Sequence, residues 1–161
     1  MRNLKTVVLL LILVGGGYYG YRKFFAQPSD ACRAYQKFAE LMAYAKYNQA
    51  KAMTSGDATD AVEAAAAPIS TPVGGGIDRA EMVNQIAGEV TGVSYSIESE
   101  VASDGGDKVT IAATQYVHRY RPGDRAVGGG VTNKVKHNVV LEREGSEWKV
   151  TSFEEKFIGN E

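Results

Sequence analysis

An uninterrupted apolar run near the N-terminus constrains this 161-residue chain more than any other feature. Residues 6–21 contain no charged side chain, and residues 7–14 are all aliphatic. Sixteen helical residues rise about 24 Å, slightly less than the thickness of a bilayer's hydrocarbon core. Arg22 and Lys23 follow directly, and their long side chains can carry the charge to the interface. We therefore predict a single-pass membrane anchor at residues 6–21, within an anchor-and-linker segment at 1–27.

A cleaved secretory signal is the alternative for the same segment, because such signals also have a basic start, an apolar run and small residues. Gly15 and Gly17 have the spacing of a cleavage site, but cleavage there would leave a mature end that begins with aromatic residues. Two basic residues flank the run on each side, and the free N-terminal amine then favours a cytoplasmic N-terminus. We therefore expect a membrane protein whose domain lies in the periplasmic or extracytoplasmic space.

Charge is unevenly distributed along the chain. Of 18 basic and 19 acidic side chains, four basic ones precede Pro28, which leaves 14 basic against 19 acidic and a net charge of −5 for residues 28–161. Phosphate binding requires a basic surface, so we predict no nucleic-acid partner. Cys32 is the single cysteine, which excludes a disulfide within the chain and a CxxC site. We predict no metal and no cofactor. Residues 15–20 match a dinucleotide-binding pattern, but the second parallel strand that this pattern needs does not follow.

Three helices are predicted in the first half of the domain. The first begins after Ser29 and carries one apolar stripe, at spacings of three and four, that continues towards Met53. A short second helix fits residues 60–67 and is closed by Pro68. After a glycine-rich loop, a third helix fits residues 78–87.

After Gly88 the apolar period changes from 3.6 to 2, which is typical of strands with one buried face. Turn residues at 104–107 and 144–146 and a longer connection at 121–130 separate four such segments. The inward residues predicted by alternation are Val93, Tyr95 and Ile97, then Val109, Ile111, Ala113, Gln115 and Val117, then Val135, His137, Val139 and Leu141, and finally Trp148 and Val150. Helices followed by an antiparallel meander indicate an α+β fold in which the helices cover the apolar face of the sheet.

This order of elements resembles the NTF2-like superfamily, a cone-shaped α+β domain whose helices pack on a curved four-stranded antiparallel sheet, and in particular its membrane-anchored bacterial members. The resemblance rests on the end of the first helix at 47–53, the short second helix and the closing hairpin at 139–150. It covers most of residues 29–158 and implies an NTF2-like domain over 28–161. Many members have a small hairpin between the second and third helices, for which residues 68–77 leave little room.

The NTF2-like resemblance directs attention to polar residues inside the cone, because some members are enzymes that use an Asp or His and a pocket tyrosine there. By strand alternation Tyr95, Gln115 and His137 point inward, so we predict that they line a ligand pocket. Desolvation would lower the pKa of His137 and allow it to act as a base. The predicted inward positions include no acid to pair with it, and a histidine that closes the open end of the core is the alternative.

The opposite face of the predicted sheet carries Tyr116, His118 and Tyr120. Tyrosines suit protein interfaces, so we predict that these residues contact a partner, either a second copy of the chain or an envelope protein. An ordinary solvated face explains the same pattern. His118 and His137 fall on opposite faces, which argues against a shared metal site.

The leading interpretation is a membrane-tethered, non-catalytic NTF2-like module that binds a protein partner or a small ligand in an envelope complex. The chain contains no P-loop, no HExxH and no Ser-His-Asp order, so we predict no catalytic residue. An NTF2-like enzyme that uses His137 for proton transfer is one alternative. A pilin-like or secretion-apparatus subunit is another, although the pilin processing motif is missing and Pro28 would break the helical stem.

Overall fold

A computed structural model describes residues 28–70, 89–120 and 130–161 of the chain. The predicted anchor at 6–21, the predicted third helix at 78–87 and most of the connection at 121–130 lie outside these residues. Within the described ranges, no helix is long and apolar enough to cross a membrane.

Helix α1 spans Asp30–Ala43 and begins where the sequence predicts it. Ser29 caps the helix, because its side-chain oxygen accepts a hydrogen bond from the N–H of Cys32 at 2.9 Å. This bond satisfies one of the amides that the first turn of a helix leaves unpaired. The buried stripe of α1 consists of Ala31, Cys32, Tyr35, Phe38, Ala39 and Leu41.

The prediction that the first helix continues towards Met53 is wrong. Helix α1 ends at Ala43, and a separate five-residue helix, α2, spans Tyr47–Lys51. Between them Ala45 adopts a left-handed conformation with φ of 54°. The N–H of Lys46 then donates to the carbonyl of Leu41 at 2.8 Å, the long-range bond of a Schellman motif. The apolar stripe continues through this break, so periodicity alone does not reveal it.

Helix α3 spans Asp57–Ser70, so the predicted second helix at 60–67 is too short at both ends. Gly56 has φ of 57° and turns the chain directly before the first helical residue. The first turn is acidic, which complements the positive end of the helix dipole. Pro68 lies in the last turn, where its missing N–H removes a single helical bond and does not end the helix at once.

Four antiparallel strands follow, and they pair in the order of the chain, β1-β2-β3-β4. They are β1 at Val90–Ala102, β2 at Lys108–Tyr120, β3 at Gly130–Glu144 and β4 at Glu147–Asn160. A two-residue loop, Gly145 and Ser146, joins β3 to β4, with φ of 64° at Gly145. A positive φ at the first loop residue is what tight hairpin turns require. The predicted α+β class with a four-stranded antiparallel meander is therefore confirmed.

One face of the sheet packs against the helices, and it is the face that alternation predicts. On this face, the buried side chains of β2 and β3 are Val109, Ile111, Ala113, Gln115, Val117, His137, Val139 and Leu141. Phe38 of α1 meets Phe153 of β4 edge to face, with ring centroids 5.0 Å apart. The segment between α2 and α3 is tied to the sheet edge, because the N–H of Val150 donates to the carbonyl of Met53 at 2.9 Å.

Candidate ligand cavity

His137 lies at the centre of the inner face and is held by α1. Its side chain is only 2% exposed, and its Nδ1 is 2.9 Å from the hydroxyl of Tyr35. The rings of Tyr35 and Phe153 stand edge-on to the imidazole, with centroids 5.9 and 5.0 Å away. Burial lowers the pKa of His137 to about 4, because the interior disfavours the charged imidazolium. His137 is therefore neutral at physiological pH.

Gln115 and Tyr95, the other two predicted pocket residues, also hydrogen-bond to α1. The side-chain amide of Gln115 donates to the carbonyl of Ala39 at 3.0 Å, and the hydroxyl of Tyr95 donates to the carbonyl of Gln36 at 3.0 Å. Burial raises the pKa of Tyr95 to about 12, so its hydroxyl remains a donor. With the Tyr35–His137 bond, three polar contacts fix where α1 lies across the sheet.

A cavity of about 340 Å³ opens beside His137, between the C-terminal end of α1 and the inner face of the sheet. We call it the α1–sheet cavity. Its polar lining consists of Tyr47, Gln115, Arg119, Asn133, His137 and Glu155, and its apolar lining of Met42, Ala43, Ala65, Val117, Val135 and Phe157. Predicted residues Gln115 and His137 are thus brought together in one wall. Tyr95 does not line this cavity, because its hydroxyl is held against the backbone of α1.

Glu155 is an inward acid that strand alternation does not predict. It pairs with His137 in the β3–β4 register and lines the same cavity. Its side chain keeps contact with solvent, yet partial burial raises the pKa of its carboxyl group. A bulge between Val140 and Leu141 shifts the faces of β4, so alternation continued from Val150 assigns Glu155 to the wrong side.

Arg119 and Tyr47 complete the polar wall. Arg119 follows Val117 on the inner face of β2, and its Nε is buried without a hydrogen-bond partner among the described residues. Burial raises the pKa of the Tyr47 hydroxyl; the charge of Glu155 raises it further, and the charge of Arg119 lowers it. The Tyr47 hydroxyl therefore lies within the electrostatic reach of a cation and an anion that share one cavity.

The predicted partner surface lies on the other face of the sheet. His118 is exposed, and its Nδ1 is 2.9 Å from the hydroxyl of Thr132. The ammonium of Lys134 sits 5.8 Å from the ring centre of Tyr116, and Tyr120 is 39% exposed. His118 and Tyr116 therefore each have a partner on the same face. A contact through Tyr116, His118 and Tyr120 with a second copy or an envelope protein stays a prediction.

Metal ligation finds no support in the described part of the chain, where no three His, Cys, Asp or Glu side chains form a group able to hold an ion. Cys32 is a buried free thiol beneath the first turn of α1. Its pKa is raised, chiefly by burial and then by the charge of Glu100, which keeps the thiol protonated and unreactive.

Comparison with known proteins gives similarity to solved structures and no family. No protein-family model matches the chain, and no curated protein matches it. Among solved structures, the chain is similar to the Kfla4162 protein from Kribbella flavida, with 11% sequence identity and a TM-score of 0.46. The match covers 82% of this chain and 90% of that protein. The comparisons therefore assign neither a family nor a function to the chain.

Proposed function

We propose that this chain is a membrane-tethered, non-catalytic NTF2-like module that binds a small ligand in the α1–sheet cavity. The apolar run at residues 6–21 supports the tether, and we place the domain on the extracytoplasmic side. Helices that precede a four-stranded antiparallel meander and pack on one of its faces support the NTF2-like assignment.

The observation that carries the ligand-binding proposal is a pair of buried nitrogen atoms in residues of the cavity wall. Nε2 of His137 and Nε of Arg119 have no hydrogen-bond partner among the described residues. A buried polar atom left unpaired costs roughly 1–3 kcal/mol, so folded proteins rarely retain one without a purpose. A polar ligand in the cavity would lie beside both residues, and about 340 Å³ is within the size range of small-molecule sites.

Blocking the cavity tests this function with a matched control. Ala65 lines the cavity on α3, whereas Ala64 beside it faces solvent. The two variants Ala65→Phe and Ala64→Phe have the same composition, and both carry phenylalanine on the same helix. Ligand-observed NMR and calorimetry on the full chain would use hexanoate, octanoate and hydrocinnamate, each paired with its primary amide. Partitioning of a probe into detergent or lipid affects both variants equally, so it does not contribute to the difference between them.

We expect at least one probe to bind the wild-type chain and Ala64→Phe, and to lose at least tenfold in affinity for Ala65→Phe. Equal binding by the two variants would place the probe outside the cavity and contradict the proposal. Failure of every probe to bind the wild-type chain at millimolar concentration would contradict it as well. Trp148, the single tryptophan, reports by its fluorescence that each variant is folded.

Proton transfer is a second candidate function, favoured by the position of Glu155. A neutral imidazole and a carboxyl group with a raised pKa share one cavity, and such pairs divide the roles of base and acid in many enzymes. An enzyme of this type would exchange the α-protons of a small ketone for deuterium. Incubation with butanone in D₂O, followed by NMR, would show exchange in the wild-type chain and its loss in His137→Gln. No exchange above a chain-free control rules out this activity for that ketone.

A further inference from the structure

Building on the proposed ligand-binding function, we propose that the ligand of the α1–sheet cavity is a small organic acid. Its carboxylate binds Arg119, and its apolar body lies along Val117 and Val135. Charged, apolar and polar side chains follow one another along the cavity wall in the order that such an acid requires.

Arg119 is the anion-binding end of the wall. A guanidinium group is always charged and presents five donors in a planar fork that fits a carboxylate. None of the ion pairs among the described residues includes Arg119. Its side chain is half-buried on the inner face, and its Nε lacks a partner there. A cation that is partly withdrawn from water gains from a ligand that brings the opposite charge.

The middle of the wall is apolar. Val117 pairs with Val93 on one side and Asn133 on the other, one step inward from Arg119 on β2. Val135 pairs with Gln115 and Phe157, one step further along the inner face. The part of a ligand that extends from Arg119 therefore contacts the apolar side chains of Val117 and Val135. This favours an acid with an alkyl or aryl body over a small hydrophilic one.

His137 and Glu155 form the far end of the wall. Arg119 pairs with Val131 on β3, whereas Glu155 pairs with His137 on the same strand, so six positions along β3 separate the two charges. The attachment points of Glu155 and Arg119 are therefore at opposite ends of the cavity. An acid that binds Arg119 therefore extends its apolar tail towards the end of the cavity where His137 and Glu155 lie.

The test compares each acid with its own amide, because the two have nearly the same shape and differ in charge. Affinities of hexanoate, octanoate and hydrocinnamate, and of the three amides, are measured on the full chain by calorimetry. The variants are Arg119→Gln, Arg119→Lys and, as a matched control, Arg143→Gln. Arg143 is exposed, lies outside the lining of the cavity and stacks 5.3 Å from the ring centre of Trp148.

We expect the tightest acid to bind at least tenfold better than its amide to the wild-type chain and to Arg143→Gln. In Arg119→Gln the ratio should fall to near one, and Arg119→Lys should restore part of it. Amides that bind as well as acids, or a ratio that survives in Arg119→Gln, would overturn the proposal. If the amides then bind every chain except Ala65→Phe, the cavity still binds a ligand. Failure of the organic-acid proposal is therefore distinguishable from failure of the ligand-binding proposal.

Discussion

The hydroxyl of Tyr35 and Nδ1 of His137 lie 2.9 Å apart in the core, although 102 positions separate the two residues in the chain. Both side chains are essentially inaccessible to solvent, at 0% and 2% exposure. A polar pair in this setting is costly unless it is satisfied, and only one placement of α1 on β3 satisfies it. The bond therefore specifies the position of the helix and, with it, the shape of the α1–sheet cavity.

Removing the Tyr35 hydroxyl should destabilise the domain through its partner. Tyr35→Phe keeps the ring but leaves Nδ1 of His137 buried and unpaired, so the free energy of unfolding should fall by roughly 1–3 kcal/mol. His137→Leu should also destabilise, and the double variant should lose less than the two single losses combined, by about 1 kcal/mol. Urea unfolding of the four chains completes this double-mutant cycle. Strict additivity would mean that the two groups do not interact.

Low pH should destabilise the fold through the protonation of His137. The pKa of His137 is about 4 in the folded chain against 6.5 for an unperturbed histidine, so the unfolded state binds its proton first as the pH falls. The contribution of His137 to the free energy of unfolding is therefore constant above pH 6.5. It declines between pH 6.5 and pH 4, by at most about 3 kcal/mol. His137→Gln should lose this decline, measured by urea unfolding at a series of pH values.

Protonation of Glu155 has the opposite effect on stability in part of the same pH range. Its pKa is raised in the folded chain, so the folded state takes up this proton first and gains stability as the pH falls. We therefore compare the wild-type chain and His137→Gln in a Glu155→Gln background. An identical pH dependence in the presence and absence of His137 would contradict the buried, neutral imidazole.

The N-cap of α1 should contribute measurably to stability. Ser29→Ala removes the oxygen that accepts from the N–H of Cys32 and should cost about 1 kcal/mol. Ser29→Asn keeps an acceptor at the cap and should recover most of that loss. The measurement is the thermal unfolding midpoint of the wild-type chain and the two variants. An unchanged midpoint in Ser29→Ala would show that the cap does not form in solution.

The two loop positions between β3 and β4 should differ in how much an alanine substitution destabilises the domain. Gly145 has φ of 64° and open space where a Cβ would lie, so Gly145→Ala has a cost of about 1 kcal/mol that is purely conformational. Ser146→Ala, the next residue of the same loop, should change the unfolding free energy by a few tenths of a kcal/mol. Equal effects at the two positions would argue against a tight two-residue loop.

Strand faces could be predicted from the sequence, whereas the end of α1 could not. Alternation places Gln115 and His137 inward because a period of two admits only two faces, and one of them is apolar. The break at Ala45 gives no such signal. Glycine usually occupies this left-handed position, but here alanine does, inside an apolar stripe that runs on towards Met53. Backbone hydrogen bonds, rather than residue type, end this helix.

Two polar residues of the candidate site, Gln115 and His137, were predictable for the same reason. Gln115 and His137 lie on the regular pair β2–β3, where the register continues without a shift. Glu155 lies beyond a bulge on β4, and each bulge exchanges the inward and outward faces. The signal that could have found it is Phe153 and Phe157, two large apolar residues two positions to either side of this acid.

Intermolecular NOEs would show directly whether a small acid occupies the space between α1 and the inner face of the sheet. With octanoate bound to the full chain, we expect NOEs from the alkyl protons to the methyl groups of Val117 and Val135. These NOEs should be absent in Ala65→Phe. NOEs confined to the rings of Tyr116 and Tyr120 would place the acid on the outer face and contradict the claim.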